Sequence, residues 1–270
     1  MTLKEATELL REAGIDSPEY DARVLFASFG EVRTTPITLH ASSDEPRLLE
    51  AIERRKNREP LQYIIGNMGF YREEYEVTPD CLIPRSDTEI LVDYAVGHIP
   101  EGERFADLCA GSGCIGISTL ANTKNTSCLS ADVSAGALEL TKRNAKRNGV
   151  SDRIEAREID LLAEGVDLGG KFYAILSNPP YIPEKVYQTL EREIFHEPKI
   201  AFVGEDDGMQ FYKVLTPLAL RHLKSEGFIA FEIGYDQAAK INTVAANNGC
   251  TCEIIKDYSG NDRVAILKRK

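Results

Sequence analysis

Apolar positions recur along this chain at two different spacings, and the change divides it. In the first sixty or so residues the spacing is helical. Thr2-Leu3-Lys4-Glu5 spells a capping box, in which the Thr hydroxyl takes the N3 amide and Glu5 reaches back to Thr2. Leu3, Ala6, Leu9 and Leu10 follow on one face, and Gly14 stops the helix. Ser17-Pro18 starts a second helix, since proline suits the first helical position. Its apolar side is Ala22, Val24, Leu25 and Phe26, and Gly30 ends it. A third helix is expected over 44–57 with Leu48, Leu49 and Ile52 inward. Its end carries Arg54, Arg55, Lys56 and Arg58, which read as a solvated face whose cations suit a helix C-terminus. The sharper alternative is a contact patch for a partner. From 66 to 80 the pattern alters: Phe70, Tyr71, Tyr75 and Val77, interleaved with charges, predict a short β-hairpin.

After Cys81 strands and helices alternate. Strands are expected at 105–109, 127–133, 153–159, 173–177 and 228–233, with helices between most of them, notably 135–148 and 209–224. That alternation means βαβ units and a parallel sheet covered on both faces, an α/β fold. The end differs: 251–257 and 263–268, joined through Ser259-Gly260-Asn261, read as a terminal antiparallel hairpin. The expected organisation is a small N-terminal helical domain at 1–66, a β-hairpin linker at 67–80 and a catalytic α/β domain at 81–270.

Composition narrows the class. With 270 residues, 43% of them apolar and 28% charged, disorder, collagen and coiled coil are poor readings. The longest stretch without charge, 108–123, is too short and glycine-rich to span a membrane. The N-terminus alternates charge with leucine and has no apolar signal-peptide core. Six cysteines without a C-x-x-C pair and four scattered histidines argue against a zinc site or a disulfide framework, so no metal is expected. These features read as a reduced, cytoplasmic protein. The net charge of −11 argues against broad phosphate binding and hence against nucleic acid. It favours a small-molecule substrate or a basic protein partner.

Candidate chemistry sits at the C-terminal ends of the expected strands. Cys109, Ala110, Gly111, Ser112 and Gly113 close the first strand of the α/β region and open a helix. Glycines let the backbone turn tightly and approach a ligand, and the helix offers free N–H groups. Gly111, Gly113 and Gly116 spell G-x-G-x-x-G, a pattern shared by NAD, FAD and S-adenosylmethionine (SAM) proteins. Asp132 ends the next strand, where a carboxylate can accept both ribose hydroxyls of a nucleoside. Asp160 and Leu161 end the third, placed for an adenine amine and the ring face. Asn178-Pro179-Pro180-Tyr181 follows the fourth. Asn Oδ1 and a proline carbonyl can each accept one N–H of a substrate –NH2 group, aiming its nitrogen at an electrophilic methyl. The prolines remove competing donors, and Tyr181 can stack on a flat substrate.

Asn178–Tyr181 resembles the catalytic motif of amino-group SAM methyltransferases. The whole chain resembles the HemK/PrmC family, the protein-(glutamine-N5) methyltransferases of peptide chain release factors. The further matches are Glu59-Pro60-Leu61-Gln62-Tyr63-Ile64-Ile65-Gly66 and Leu82-Ile83-Pro84-Arg85-Ser86-Asp87-Thr88-Glu89. Later come Glu197-Pro198 with Ala201, Glu232-Ile233-Gly234, Asp257-Tyr258 and Arg263-Val264. The resemblance implies a Rossmann-like SAM-dependent methyltransferase sheet of strand order 3-2-1-4-5-7-6. It implies SAM contacts from Cys109 to Gly113, Asp132, Leu161 and Asn178, and a substrate glutamine held by Asn178–Tyr181. The implied partner is a class 1 release factor, methylated by a monomer with S-adenosylhomocysteine as product. Cys109 and Ala110 stand where relatives often have Gly-Thr, Ser86 replaces a frequent second proline, and Leu161 replaces an aromatic of some relatives. A DNA adenine or cytosine N-methyltransferase presents a similar –NH2, but no basic target-recognition domain is visible. A NAD-dependent oxidoreductase explains neither Asn178–Tyr181 nor the terminal hairpin.

Overall fold

The computed structural model describes residues 1–30 and 41–270. It comprises two compact units, Met1–Asn67 with Glu191–His196, and Met68–Leu190 with Glu197–Lys270. The first unit is helical: α1 (Leu3–Glu12), α2 (Pro18–Phe29), α3 (Pro46–Lys56) and α4 (Leu61–Ile65). Both bonds of the Thr2–Glu5 capping box form. α3 begins at its proline, two residues inside the expected start. Leu3, Leu10, Leu25, Phe26, Leu48 and Ile52 meet in one core. The five-residue α4 is too short for a periodicity to announce.

The basic end of α3 differs from expectation. Arg54 pairs with Glu59 and Lys56 with Glu53. Arg55 is buried, donating from Nε to Asp21 Oδ2 at 2.7 Å and from Nη1 to Glu193 Oε1 at 3.2 Å. Arg58 Nε lies 2.9 Å from the same Glu193 oxygen. The cluster is thus neither a solvated face nor an open patch; it holds Glu191–His196 within the helical unit.

The second unit opens with the hairpin β1 (Asn67–Phe70) and β2 (Glu73–Glu76), followed by α5 (Glu89–His98). The hairpin expected as a linker is packed into this unit. Tyr75 is fully buried with its hydroxyl 2.6 Å from Ser118 Oγ, and Asn144 bonds both backbone groups of Glu76. Alternation follows: β3 (Arg104–Leu108), α6 (Cys114–Ala121), β4 (Ser127–Asp132), α7 (Ala135–Arg147), β5 (Ile154–Glu158) and β6 (Phe172–Ser177). Two four-residue helices, α8 (Glu184–Tyr187) and α9 (Glu205–Gly208), precede α10 (Gln210–His222), β7 (Leu223–Glu232), α11 (Ala238–Asn247), β8 (Cys250–Lys256) and β9 (Asp262–Arg269).

The seven-stranded sheet runs β5-β4-β3-β6-β7-β9-β8, which is the order 3-2-1-4-5-7-6. β9 pairs antiparallel with β7 and β8, and the other neighbours are parallel. Alternate residues serve opposite cores: Ile175 of β6 faces one, Ala174 and Leu176 the other. This is the mixed α/β sheet, with its terminal antiparallel hairpin, that the family resemblance implies. Ligand sites in such sheets lie beyond the carboxyl ends of the parallel strands, where the strand order reverses. Here that point is the crevice at the ends of β3, β4 and β6.

Candidate functional site

β3 delivers the chain into a turn that side chains resist. Cys109 has φ +58°, in the left-handed region that favours glycine. Gly113, at φ +79°, caps α6, and a Cβ there would lie 2.8 Å from Thr141 Cγ2 and 2.9 Å from Ile117 Cδ1. Asp132, at the end of β4, ties this turn to the next helix. Its Oδ2 accepts from Gly111 N at 2.8 Å and its Oδ1 from Ser134 N at 2.9 Å. Burial pushes the Asp132 carboxyl up, against those two amides.

A cavity of about 640 Å³ opens beside this turn. That is the size of a small-molecule site. Cys109, Ala110, Gly111, Ser112, Asp132, Asp160, Leu161, Asn178 and Pro180 line it. Gly113, Pro179 and Tyr181 do not; the first caps α6. Asp160 is exposed, and its Oδ1 accepts from Leu162 N at 2.9 Å, so one oxygen is partly committed to its own turn. Leu161 is buried on the wall.

Asn178 follows β6, anchored through Ser177 Oγ, which donates to Leu108 O at 2.6 Å. Its Nδ2 donates to Thr88 Oγ1 at 3.2 Å. Thr88 in turn donates to Glu232 Oε2 at 2.5 Å, and Tyr181 OH donates to Glu232 Oε1 at 3.2 Å. The Tyr181 hydroxyl is thus held by Glu232, and Tyr181 is not among the residues that line the cavity. Burial, with the Glu232 charge adding to it, pushes the Tyr181 phenol up and keeps it a donor. Burial also pushes the Glu232 carboxyl up, while Thr88, Arg263 and Tyr181 favour its charged form.

The segment beyond the motif supports it from outside. Ile182 N donates to Phe202 O at 2.8 Å and Gly204 N to Ile182 O at 3.1 Å. Gly208, at φ +77°, passes so close to the Tyr181 carbonyl that no Cβ fits.

Several residues of this site carried no assigned role in the sequence. Arg85 lines the cavity and pairs with Glu197, whose other oxygen accepts from Ile83 N at 2.8 Å. Burial pushes the Glu197 carboxyl up, opposed by Arg85 and that amide. Thr88, itself on the cavity lining, links Asn178 to Glu232, and Ile200 and Phe211 add apolar wall. The only signal was that Arg85, Thr88, Glu197 and Glu232 fall in the segments carrying the family resemblance. Asp107 lies beneath the turn, wholly buried. Gly116 N donates to its Oδ2 at 2.9 Å and Oδ1 has no partner. Burial pushes its pKa up to about 7 against the Gly116 bond. Among the described residues no group of His, Cys, Asp and Glu is placed to hold a metal ion, and no helix is long and apolar enough to cross a membrane.

Residues 2–66 match the PrmC N-terminal domain, and residues 86–203 match the methyltransferase small domain. A release factor glutamine methyltransferase of Caulobacter vibrioides is 36% identical, the match covering 97% of this chain and 93% of that one. Another from Fusobacterium nucleatum is 34% identical, covering 98% and 77%. Among solved structures, a ribosomal protein L11 methylase from Lactobacillus delbrueckii shares the fold with a TM-score of 0.51. It is 23% identical, covering 69% of this chain and 80% of that one. On identity and coverage together, this chain belongs to the release factor glutamine methyltransferase family.

Proposed function

We propose that this enzyme methylates the side-chain amide nitrogen, N5, of the glutamine in the Gly-Gly-Gln motif of class 1 release factors, using SAM and releasing S-adenosylhomocysteine. The observation that carries this reading is Asn178, on the wall of the cavity that also holds the glycine turn and Asp132. Its amide nitrogen is engaged behind it, and among the described residues nothing donates to its Oδ1. That oxygen is an acceptor available to a substrate –NH2.

The cavity fits the donor as well. Its wall combines a carboxylate suited to a ribose diol, backbone at a tight turn and apolar Leu161 and Ile115. When bound, SAM supplies a methyl already activated on a sulfonium. An amide nitrogen is a poor nucleophile because its lone pair is delocalised. The chain's task is then orientation and exclusion of water. Asn178 Oδ1, with a carbonyl of the proline pair, holds the –NH2 and stabilises the positive charge that grows on it during transfer. No general base is needed for the transfer itself, since the proton can leave afterwards. Residues 1–66 and the segment 182–207 are the surfaces that grip the intact release factor in this reading. One glutamine side chain buries too little area to select a protein.

Mass spectrometry of a release factor incubated with enzyme and SAM tests the proposal. One methyl on the motif glutamine is expected, and Asn178→Ala should lower single-turnover methylation by roughly 10²–10³. No methylation by the wild-type enzyme, or methylation at another residue, would overturn it.

A further inference from the structure

Asn178 can serve as an acceptor only if its amide presents oxygen, not nitrogen, to the cavity. The two edges are nearly identical in shape, so something behind the residue must choose between them. The hydrogen bonds behind it make that choice by counting protons. Glu232 and Thr88 are each 2% exposed, so water does not compete for them. Two hydroxyls converge on the Glu232 carboxyl and the Arg263 charge favours its ionised form, and in that form Glu232 has no proton to give. It accepts one from Thr88 Oγ1 at 2.5 Å and one from Tyr181 OH at 3.2 Å. A threonine hydroxyl carries a single proton. Once that proton is given to Glu232, Thr88 can offer Asn178 only lone pairs. The edge of Asn178 facing Thr88 must therefore be the –NH2, at 3.2 Å, and Oδ1 is turned the other way.

Resting on the reading of Asn178 given above, we propose that Glu232, acting through Thr88, is the positioning residue that sets which edge of the Asn178 amide meets the substrate. The ends of three chain segments are brought together for this purpose: Thr88 just before α5, Asn178 after β6 and Glu232 closing β7. The arrangement also sets specificity. An acceptor at the cavity selects a glutamine amide; a donor there would select a carboxylate.

Three single variants and one double variant test this. In Thr88→Val the hydroxyl goes and the branched shape stays. Expected are a fall in kcat of about 10–100-fold, because the amide loses its fixed orientation, and a SAM Kd within about twofold of wild type. Thr88→Ser, which restores the hydroxyl, should recover kcat to within about threefold. In Glu232→Gln the neutral amide can turn either edge to Thr88, so the Thr88 proton is no longer committed and the Asn178 amide loses its fixed orientation. kcat should fall similarly, and a release factor bearing Glu in place of the motif Gln should become a better inhibitor than it is of wild type. Thr88→Val combined with Asn178→Ala should be no slower than Asn178→Ala alone, since both act on one group.

Wild-type kcat in either Thr88→Val or Glu232→Gln, with SAM binding intact, would overturn the inference, as would losses that multiply in the double variant. If Thr88→Val loses SAM binding as well, Glu232→Gln decides by the same two criteria. Wild-type activity in Asn178→Ala would overturn the underlying reading instead, so the two failures are told apart.

Discussion

Replacing Asp132 by alanine separates what the residue does for the fold from what it does for the ligand. In the protein alone, Gly111 N and Ser134 N lose acceptors at 2.8 and 2.9 Å. Both amides border the cavity, where water can reach them, so each loss costs about 0.5–1.5 kcal/mol, the net value of an ordinary hydrogen bond. Each kcal/mol lowers Tm by about 2–4 °C in a chain of this size. For the ligand, the remaining lone pairs of the carboxylate are the acceptors proposed for the ribose hydroxyls. Hydrogen bonds to a charged group are worth about 1.5–3 kcal/mol, which is roughly a 10–150-fold rise in the Kd for SAM. Titration calorimetry with SAM and with S-adenosylhomocysteine should show similar losses for both, because the ribose is common to them. Asp132→Asn keeps the volume but turns an –NH2 toward one of the two backbone donors, so it should bind no better than alanine. A folded Asp132→Ala protein with unchanged SAM affinity would remove Asp132 from the ligand site and leave it as a turn-binding residue only.

Asp107 should make stability fall as pH rises. Its ordinary value is 3.8 and burial moves it to about 7, so between these the folded state keeps a proton the unfolded chain has released. The slope reaches at most about 1.4 kcal/mol per pH unit. Asp107→Asn should remove it, giving a urea-midpoint advantage over wild type that grows from about pH 4 to about pH 7 and levels off above; a constant difference across that range would refute the assignment. Gly208→Ala forces a side chain into φ +77° against the Tyr181 carbonyl, and should cost about 1–3 kcal/mol in urea unfolding together with a loss of kcat. Unchanged stability and turnover would mean that the segment 202–208 does not brace the motif. Ile200 is 61% exposed on the cavity rim, and under the proposed function this apolar side chain would meet the protein substrate. Ile200→Ser should raise KM for the intact release factor by roughly three- to tenfold with SAM affinity unchanged, and an unaltered KM would take Ile200 out of that surface.

What the sequence shows plainly is whatever local pattern dictates. Apolar runs between polar turns mark β3, β4 and β6, and the glycine turn and Asn178 stand out because few structural reasons produce them. Pattern fails where structure depends on distant partners. β7 starts at Leu223, five residues before the expected strand, because Ser225-Glu226-Gly227 reads as a break. Arg55 looks like surface charge until Asp21 and Glu193, 34 and 138 residues away, are seen on it. Thr88 and Glu232 are 144 residues apart. Nothing in either neighbourhood says that one proton passes between them. Tyr181 looks like a stacking platform because its ring is visible in the sequence and the carboxylate that claims its hydroxyl is not.

The helical unit is not a bead on a single string. Because it takes in Glu191–His196, the chain crosses between the two units three times, near 67, at 190/191 and at 196/197. The last crossing leads at once into Glu197, which grips Ile83 and Arg85, and then into Pro198–Ala201 of the cavity wall. A truncated chain starting after residue 66 would leave Glu193 without both of its arginines and would cut loose the run of chain that becomes this wall. Such a truncation is a lesion in the second unit as well as the loss of the helices. A loss of activity on removing residues 1–66 would therefore not by itself mark them as a docking surface.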